Sequence, residues 1–429
     1  MKVKNVYDVL KERGFVEQVT DEESVQELLG GDRITCYIGF DPTASSLHIG
    51  SLVPIMALAQ MQRHGHRPIA LVGGGTALIG DPSGKTEMRQ ILRQEEINAN
   101  AESLKMQLAR YLDFSEEKAL LLNNADWLAP LNYIEFLRDI GRHFSVNRML
   151  AAETYRMRME TGLNFIEFNY MLLQSYDFYY LCKHYNCLIQ MGGNDQWGNI
   201  VAGMDLTRRM EDRKVYGVTF TLIVTSLGHK MGKTEKGTVW LDGRLTAPYE
   251  YFQYWINTDD ADVKRFLALF TYLPMDEIEK VAQLRDAELN MAKTVLAFEA
   301  TAITHGDEAA QAALAASMGA FNIKPVRDDI LPSSRIPRSP ASESTSAIPF
   351  VEIAKERLEE GIPAFELFCD ARLCRSKGEA RRVLAQGGGY INGEQIQAFD
   401  MKIGPGHIDA GGEIRLRKGK KIFAIVRVC

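Results

Sequence analysis

Short apolar runs alternating with longer amphipathic segments fill the first half of the chain, and that alternation is the strongest constraint on its fold. Ile34–Phe40, Pro68–Val72, Ala119–Leu122 and Cys187–Met191 are each followed by turns rich in Gly, Asn or Asp, the punctuation of buried strands. Between them, Leu52–Arg63 and Asn132–Leu150 carry apolar residues at helical spacing, with Ile134, Leu137, Ile140 and Phe144 recurring every three or four positions. Strand, crossover helix, strand predicts a parallel sheet covered on both faces. Ligands in such sheets sit at the carboxyl ends of the strands, where these turns fall.

From Asp259 to about Phe321 the pattern becomes helical and strand signals fade. Residues Pro325–Pro349 then hold five of the chain's 14 prolines and a cluster of serines, a composition expected of a linker. The remaining segment has its own punctuation. Ser376 and Glu379 predict a capping box opening a helix through Leu384, Gly387–Gly389 ends it, and Asn392-Gly393 predicts a hairpin turn.

Charge divides the chain unevenly. The whole carries a formal −6, yet from Asp370 onward 12 Arg and Lys face six acidic residues. An acidic body with a basic tail points to a polyanionic partner at one end. The start, MKVKNVYDVLKERGF, mixes acids with apolar residues and lacks the apolar core of a signal peptide. No run reaches ~18 uncharged apolar residues, so no membrane span is expected. The six cysteines include no C-x-x-C pair, which predicts reduced thiols and a cytoplasmic protein. No zinc-type spacing is present, so no protein-held metal is expected.

Two loops carry the chemistry. Gly80-Asp-Pro-Ser-Gly-Lys-Thr86 resembles a phosphate loop, but Ile79 stands where the first glycine is required. Gly73, Gly74 and Gly75 lack dinucleotide spacing and read as a tight strand-to-helix turn. Asp41-Pro-Thr-Ala-Ser-Ser-Leu-His48-Ile-Gly50 is more telling. It lies between a strand and an amphipathic helix, whose N-terminus offers unpaired N–H groups to phosphate, while Gly50 lets a flat ring approach the backbone. By itself His48 reads first as a helix-start residue. The second loop, His229-Lys230-Met-Gly-Lys233-Thr234, places two lysines around a small residue; by itself it reads as a solvated basic loop.

Together, in this order and at this separation, the two loops resemble the paired H-I-G-H and K-M-S-K-S signatures of class I aminoacyl-tRNA synthetases. The resemblance narrows to the bacterial-type tyrosyl-tRNA synthetases through Tyr37-Ile-Gly-Phe-Asp-Pro-Thr43, Ala70-Leu-Val-Gly-Gly-Gly-Thr76 with Gly80-Asp-Pro-Ser-Gly84, Phe136 through Val146, Tyr170-Met-Leu-Leu-Gln174-Ser-Tyr-Asp177, and Gly192-Gly-Asn-Asp-Gln-Trp-Gly-Asn199. It covers nearly the whole chain, and the tail resembles the small RNA-binding domain that ends these enzymes. The implied fold is α/β: a Rossmann-like parallel-sheet catalytic domain over residues 1–222, a lysine-signature loop and α-helical domain over 223–324, a linker over 325–349, and a small α+β RNA-binding domain over 350–429.

The resemblance also implies roles. Tyr37 and Asp177 hydrogen-bond the phenol of L-tyrosine, while Tyr170, Gln174 and Asp81 hold its ammonium. Thr43 and His48 donate to the terminal phosphate of ATP; Lys230, Lys233, Lys85 and Arg89 supply positive charge as pyrophosphate leaves. For Lys85 and Arg89 an exposed helix face remains an equal reading. Asp195, Gln196, Gly192, Gly50 and Asp41 hold the ribose and orient the adenylate. ATP is a substrate bringing its own Mg2+. Arg375, Lys377, Arg381, Arg382, Lys418 and Lys420 meet the phosphates of tRNA(Tyr), and the segment near Phe136–Val146 forms a homodimer contact. Two positions depart from the signatures: Ser51 replaces the second histidine, and Gly232-Lys233-Thr234 replaces S-K-S. A tryptophan enzyme has no use for a phenol-reading Tyr37 and Asp177, and a non-catalytic RNA-binding protein has no use for His48, Lys230 and Lys233.

Overall fold

The computed structural model describes residues 4–83, 92–224, 226, 231, 233–234, 237–321, 324–338, 350–409, 412–419 and 422–429. Six strands form its main sheet: β1 (Val16–Val19), β2 (Thr35–Phe40), β3 (Arg67–Val72), β4 (Leu120–Asn123), β5 (Cys187–Gly193) and β6 (Tyr216–Phe220). Their order is β1-β6-β5-β2-β3-β4. All pairings are parallel except that of β1, which runs antiparallel to β6 at the edge. The four runs read from sequence are β2 to β5. The edge strand β1, Val-Glu-Gln-Val, places two exposed polar residues at its centre, which hides it from an apolar-run search.

The chain builds outward from β2 to β3 and β4, then returns to lay β5 on the other side of β2. That reversal opens a crevice at the carboxyl ends of β2 and β5. Three helices flank it: α1 (Leu52–Arg63), α2 (Phe165–Tyr185) and α3 (Trp197–Glu211). In α1 the residues from Ile55 to Met61 are all buried, so it is a core helix rather than a surface one. A capping box starts α2: Asn164 accepts from the Ile166 N–H and Glu167 accepts from the Asn164 N–H. Asn186, at φ 53°, ends it.

Helices Pro248–Ile256, Val263–Phe270, Asp286–His305 and Asp307–Phe321 form the helical region expected from Asp259 onward. One apolar core runs from Ile38 and Ile189 through α1 into Trp255, Phe266 and Phe298, so position 222 marks no break in packing. Arg13 ties the chain's start to this region. Its guanidinium donates to the carbonyls of Ala268, Thr271 and Leu273 at 2.8, 3.0 and 2.6 Å, satisfying backbone acceptors left over where Val263–Phe270 ends.

Two expectations require correction. Asn132–Leu150 is not one amphipathic helix but Tyr133–Asp139, a 3-10 turn at Gly141–His143, and Val146–Ala151. Phe136, Ile140 and Met149 are buried, whereas Ile134 is 69% and Leu137 37% exposed; the apolar spacing there marks an outward face. Nor is the first part of 325–349 a linker. Val326, Ile330, Leu331 and Ile336 are buried in the main core. Arg335 pairs with Glu299 and Asp307, while Arg338 donates to the carbonyls of Arg327, Ile330 and Leu331. Proline-rich composition concealed four anchoring aliphatics. The later part, residues 339–349, lies outside the described residues.

The tail has its own core and a five-stranded sheet. Its helix Lys377–Ala385 is capped by Ser376, whose hydroxyl accepts from the Glu379 N–H. Asn392 (φ 48°) and Gly393 (φ 91°) turn the chain between Ile391 and Glu394, the two-residue hairpin read from sequence.

The packing of residues 326–336 yields a test. A chain ended after Lys324 loses four buried aliphatics, about 1.5 kcal/mol or more apiece. It is expected to unfold in urea with about 6 kcal/mol less stability than a chain ended after Arg338; equal midpoints would show that these contacts contribute nothing.

Candidate active site

Three strand ends supply the site. Asp41 follows β2, the Gly73–Thr76 turn follows β3, and Gly192 to Gln196 close β5. Asp41 accepts from the Thr76 hydroxyl at 2.7 Å and from the Tyr170 hydroxyl of α2 at 2.9 Å. The approach is tight: a Cβ added at Gly73 would stand 2.0 Å from Asp41 Oδ1, so the glycine there is a steric requirement rather than a nucleotide fingerprint.

The pocket floor is unusually polar. The Tyr37 hydroxyl is buried and has no hydrogen-bond partner. Asp177 of α2 lies close enough for its charge to act on Tyr37. Asp177 itself accepts from Asn124 Nδ2 at 2.9 Å and from Trp127 Nε1 at 2.7 Å. Burial, with a smaller push from the Asp41 charge, lifts its carboxyl to about 7 against the pull of those two donors. Burial likewise raises the Tyr37 phenol well above its ordinary value. A buried hydroxyl without a partner carries a desolvation penalty of about 1–3 kcal/mol, which a ligand group placed between it and Asp177 removes.

A second cluster lies between the start of α3 and the turn after β3. Gln196 donates to Asp81 at 2.8 Å, and Asp81 accepts from the Ser83 N–H at 2.9 Å. Asn199 donates to Gln174 on α2 at 3.0 Å and to Gln196 at 3.2 Å. Tyr37, Asp41, Asp81, Tyr170, Gln174, Asp177, Gln196, Gly192 and Asp195 thus gather around one crevice from β2, α2 and the strand ends.

The loop carrying His48 is held against a segment almost 200 positions away. Ile49 donates its N–H to the Val239 carbonyl at 3.1 Å, and Leu241 donates to Leu47 at 2.9 Å. His48 and Trp240 form the bridge between them, with rings 6.3 Å apart. His48 is exposed and does not cap the helix that follows, which removes the simplest structural reason for a histidine there. A Cβ at Gly50 would meet the His48 ring at 2.8 Å and the Met231 carbonyl oxygen at 3.3 Å, so the two signature loops touch at Gly50. Thr43 is exposed on the same loop. Lys233 and Thr234 pair with Gly237–Thr238 in a short hairpin. Only the backbone of Lys233 is described, and Lys85, Arg89, Lys230 and Lys420 lie outside the described residues.

Four residues escaped the sequence reading. Asn124 and Trp127 follow β4 in an Asn- and Asp-rich turn; Asn199 sits inside a quoted motif without a role; Leu222 is 57% exposed and would lie 3.3 Å from a Cβ at Gly193. In the tail, Arg375, Lys377, Arg381 and Arg382 are exposed. Lys377 pairs with Glu366 and Lys418 with Glu379, while Arg381 lies over the Phe365 ring at 4.2 Å. Among the described residues no helix is long and apolar enough to cross a membrane, and no three metal-ligating side chains cluster.

Comparison with known proteins agrees with this geometry. The family "tRNA synthetases class I (W and Y)" matches residues 30–322, and "Tyrosine--tRNA ligase SYY-like C-terminal domain" matches residues 342–426. A tyrosine--tRNA ligase of Syntrophus aciditrophicus is 63% identical, with 100% of both chains covered. One from Acetivibrio thermocellus is 50% identical over 99% of each. The solved C-terminally truncated mitochondrial tyrosyl-tRNA synthetase of Aspergillus nidulans superposes with a TM-score of 0.66 at 31% identity, covering 72% of this chain and 92% of that one. A tryptophanyl-tRNA synthetase of Encephalitozoon cuniculi shares the fold at 15% identity and a TM-score of 0.55, over 76% and 89% of the two chains.

The raised Asp177 carboxyl has a signed consequence for stability. Folded, it holds its proton up to about pH 7; unfolded, it releases it near pH 4. Its contribution is therefore fully present below the ordinary carboxylate range and is lost as pH rises toward 7. Asp177→Asn removes that titration. The melting temperature of the variant relative to the parent is expected to rise between pH 4 and 7 and level off above; a difference independent of pH would contradict the buried carboxyl.

Proposed function

The chain belongs to the bacterial-type tyrosyl-tRNA synthetases of class I, and from that premise we propose how its residues divide the work. It is an aminoacyl-tRNA ligase that activates L-tyrosine with ATP, releases pyrophosphate, and transfers tyrosine to the 3'-terminal adenosine of tRNA(Tyr). The observation that carries the residue assignment is the buried, unpartnered Tyr37 hydroxyl within reach of the Asp177 charge. A substrate phenol inserted there accepts from Tyr37 and donates to Asp177. Phenylalanine leaves both groups buried and unpaired, and tyrosine enzymes of this family are themselves the standing example of that discrimination.

At the other end of the amino acid, Asp81, Gln174 and Tyr170 face the ammonium and leave the carboxylate free to attack the α-phosphorus. Negative charge then moves onto pyrophosphate, so mobile cations serve better than a general base. Lys230, Lys233, Lys85 and Arg89 take that role in this reading, with His48 and Thr43 donating to the terminal phosphate. Mg2+ arriving on the nucleotide would shield its phosphates. Gly50, Gly192, Asp195, Gln196 and Asp41 line the route to the ribose and the adenylate. Ser51, in place of a histidine, leaves the ribose with a shorter partner.

Residues 1–222 carry both substrates in this division, residues 223–324 carry the lysine loop and the helical tRNA-facing region, and residues 350–429 bind RNA. The exposed Arg375, Lys377, Arg381 and Arg382, with Lys418 on the neighbouring strand and Lys420 two positions on in the sequence, meet phosphate with a salt-dependent affinity. A homodimer, built on the outward apolar face that includes Ile134 and Leu137, and a cytoplasmic location complete the reading.

ATP–pyrophosphate exchange run separately with tyrosine, tryptophan and phenylalanine tests the function. Exchange with tyrosine alone is expected. Exchange with none would remove the activity, and exchange with tryptophan would overturn the phenol-reading role of Tyr37 and Asp177. Lys233→Ala is expected to slow adenylate formation in pre-steady-state assays by about 100-fold or more while leaving tyrosine affinity nearly unchanged; equal effects on both would refute a charge role confined to the transition state.

A further inference from the structure

We propose that Asn199 is a positioning residue that fixes the direction of both glutamine side chains in the ammonium site, and so decides whether Gln174 greets the substrate with an oxygen or an NH2. The inference rests on the ammonium reading given above for Asp81, Gln174 and Tyr170.

Asn199 is the third residue of α3 and is 5% exposed. Its Nδ2 carries two hydrogens and faces three acceptors: Gln174 Oε1 at 3.0 Å, Gln196 Oε1 at 3.2 Å and, more distantly, Ser83 Oγ at 3.4 Å. Gln196 in turn donates through Nε2 to Asp81 Oδ2 at 2.8 Å and to Asp195 Oδ2 at 3.3 Å. The side chains form a chain of amides that ends on two carboxylates.

A side-chain amide can be turned end for end with little change of shape, so the direction of each must come from its partners. Here the carboxylates set it. The Asp81 and Asp195 carboxyl oxygens accept here, and the nitrogen of Gln196 faces them. Its oxygen is left for Asn199, which must answer with nitrogen. That nitrogen reaches Gln174, which must answer with oxygen. The polarity of Asp81 is thereby passed through Gln196 and Asn199 to Gln174 on a different helix. The Gln174 oxygen keeps a second lone pair for the substrate ammonium. Reversed, Gln174 would set an NH2 against a cation, and the site would lose an acceptor while gaining a repulsive dipole.

Asn199→Asp, which is nearly isosteric but accepts rather than donates when ionised, breaks the sequence at its middle. The expected result is specific to the ammonium. On the full-length protein, the dissociation constant of tyrosine rises roughly 10- to 100-fold, the size of a lost hydrogen bond to a charged group. That of 3-(4-hydroxyphenyl)propionate, which keeps the phenol and carboxylate but has no ammonium, changes little. Asn199→Ala, which removes the donors without adding charge, gives the same ordering with a smaller ratio and serves if Asn199→Asp does not fold. Equal weakening of both ligands by the variant would assign Asn199 a merely structural role and overturn the proposal, as would no weakening of either. Gln174→Ala is measured alongside. Loss of the tyrosine-over-analogue preference in Gln174→Ala but not in the Asn199 variants overturns this inference alone. Retention of the preference in Gln174→Ala overturns the ammonium reading, and this inference with it.

Discussion

The antiparallel pairing of Leu47 and Ile49 with Val239 and Leu241 is the constraint on which the rest of the site depends. Two backbone hydrogen bonds, at 2.9 and 3.1 Å, join a loop at the start of a core helix to the segment after the lysine signature. Leu47 and Ile49 on one side and Val239 and Leu241 on the other are buried in the main core, so apolar packing and main-chain pairing fix the contact together. Closing a loop of this length has a large entropic cost, but that cost grows only slowly with the number of residues enclosed. The intervening chain can therefore build β3 to β6 and their helices without weakening the contact. The bridge between His48 and Trp240 and the close approach of Gly50 to the Met231 carbonyl follow from this pairing. Residues that chemistry requires within a few ångströms are made neighbours by main-chain geometry, which no side-chain substitution at His48 would disturb.

Within the crevice, the same economy is achieved with side chains. Asn124 is buried and uses both amide hydrogens, one on Asp177 and one on the Thr76 hydroxyl at 3.0 Å. The Thr76 hydroxyl donates a hydrogen bond to Asp41, which also accepts one from the Tyr170 hydroxyl. A line of hydrogen bonds thus runs from Asp177 through Asn124 and Thr76 to Asp41. Buried polar networks of this kind are stable only when every member is satisfied. Against that background the Tyr37 hydroxyl, buried without a partner, is where the proposed substrate phenol would fit. The buried carboxyl of Asp177, raised toward neutrality, and the unpaired phenol are two expressions of one preorganised gap.

Much of this was legible in the residues. Strands β2 to β5 and helix α1 followed from apolar periodicity, and the tail's cap and hairpin followed from Ser376, Asn392 and Gly393, because local turn chemistry needs no tertiary information. The site residues of β2, α2 and the turn after β5 were reached by resemblance of motifs, not by periodicity. What escaped depends on distant contacts. Asn124, Trp127 and Asn199 are ordinary turn or helix residues until their partners are brought from other strands. Residues 326–336 carry prolines and serines that mask Val326, Ile330, Leu331 and Ile336, and only the groove they fill gives those aliphatics meaning. Ile134 and Leu137 have core spacing, yet a chain read alone cannot say which of two apolar stripes faces inward.

That outward stripe bears on the site through α2. Exposed Met157, Met159 and Phe165 lie just before the start of α2 or at its first residue, beside Arg158 and Glu167, which are almost fully buried and joined by two hydrogen bonds at 3.0 and 2.9 Å. Tyr155 stitches the preceding helix to α2, donating to the Phe168 carbonyl at 2.9 Å and accepting from the Met171 N–H at 3.3 Å. The next residues along α2 are those of the site: Tyr170, Gln174 and Asp177. In the proposed dimer, a second copy covering this apolar face would also exclude water from a buried ion pair, whose strength depends on the dryness of its surroundings. Under the proposed function, assembly and substrate recognition would then share one helix, with its N-terminal turn set by packing and its middle turns by chemistry. Along α2, Tyr170 stands about one turn past Glu167, Gln174 about two and Asp177 about three, so in that reading a change that loosened the Arg158–Glu167 pair would act on the helix that presents all three.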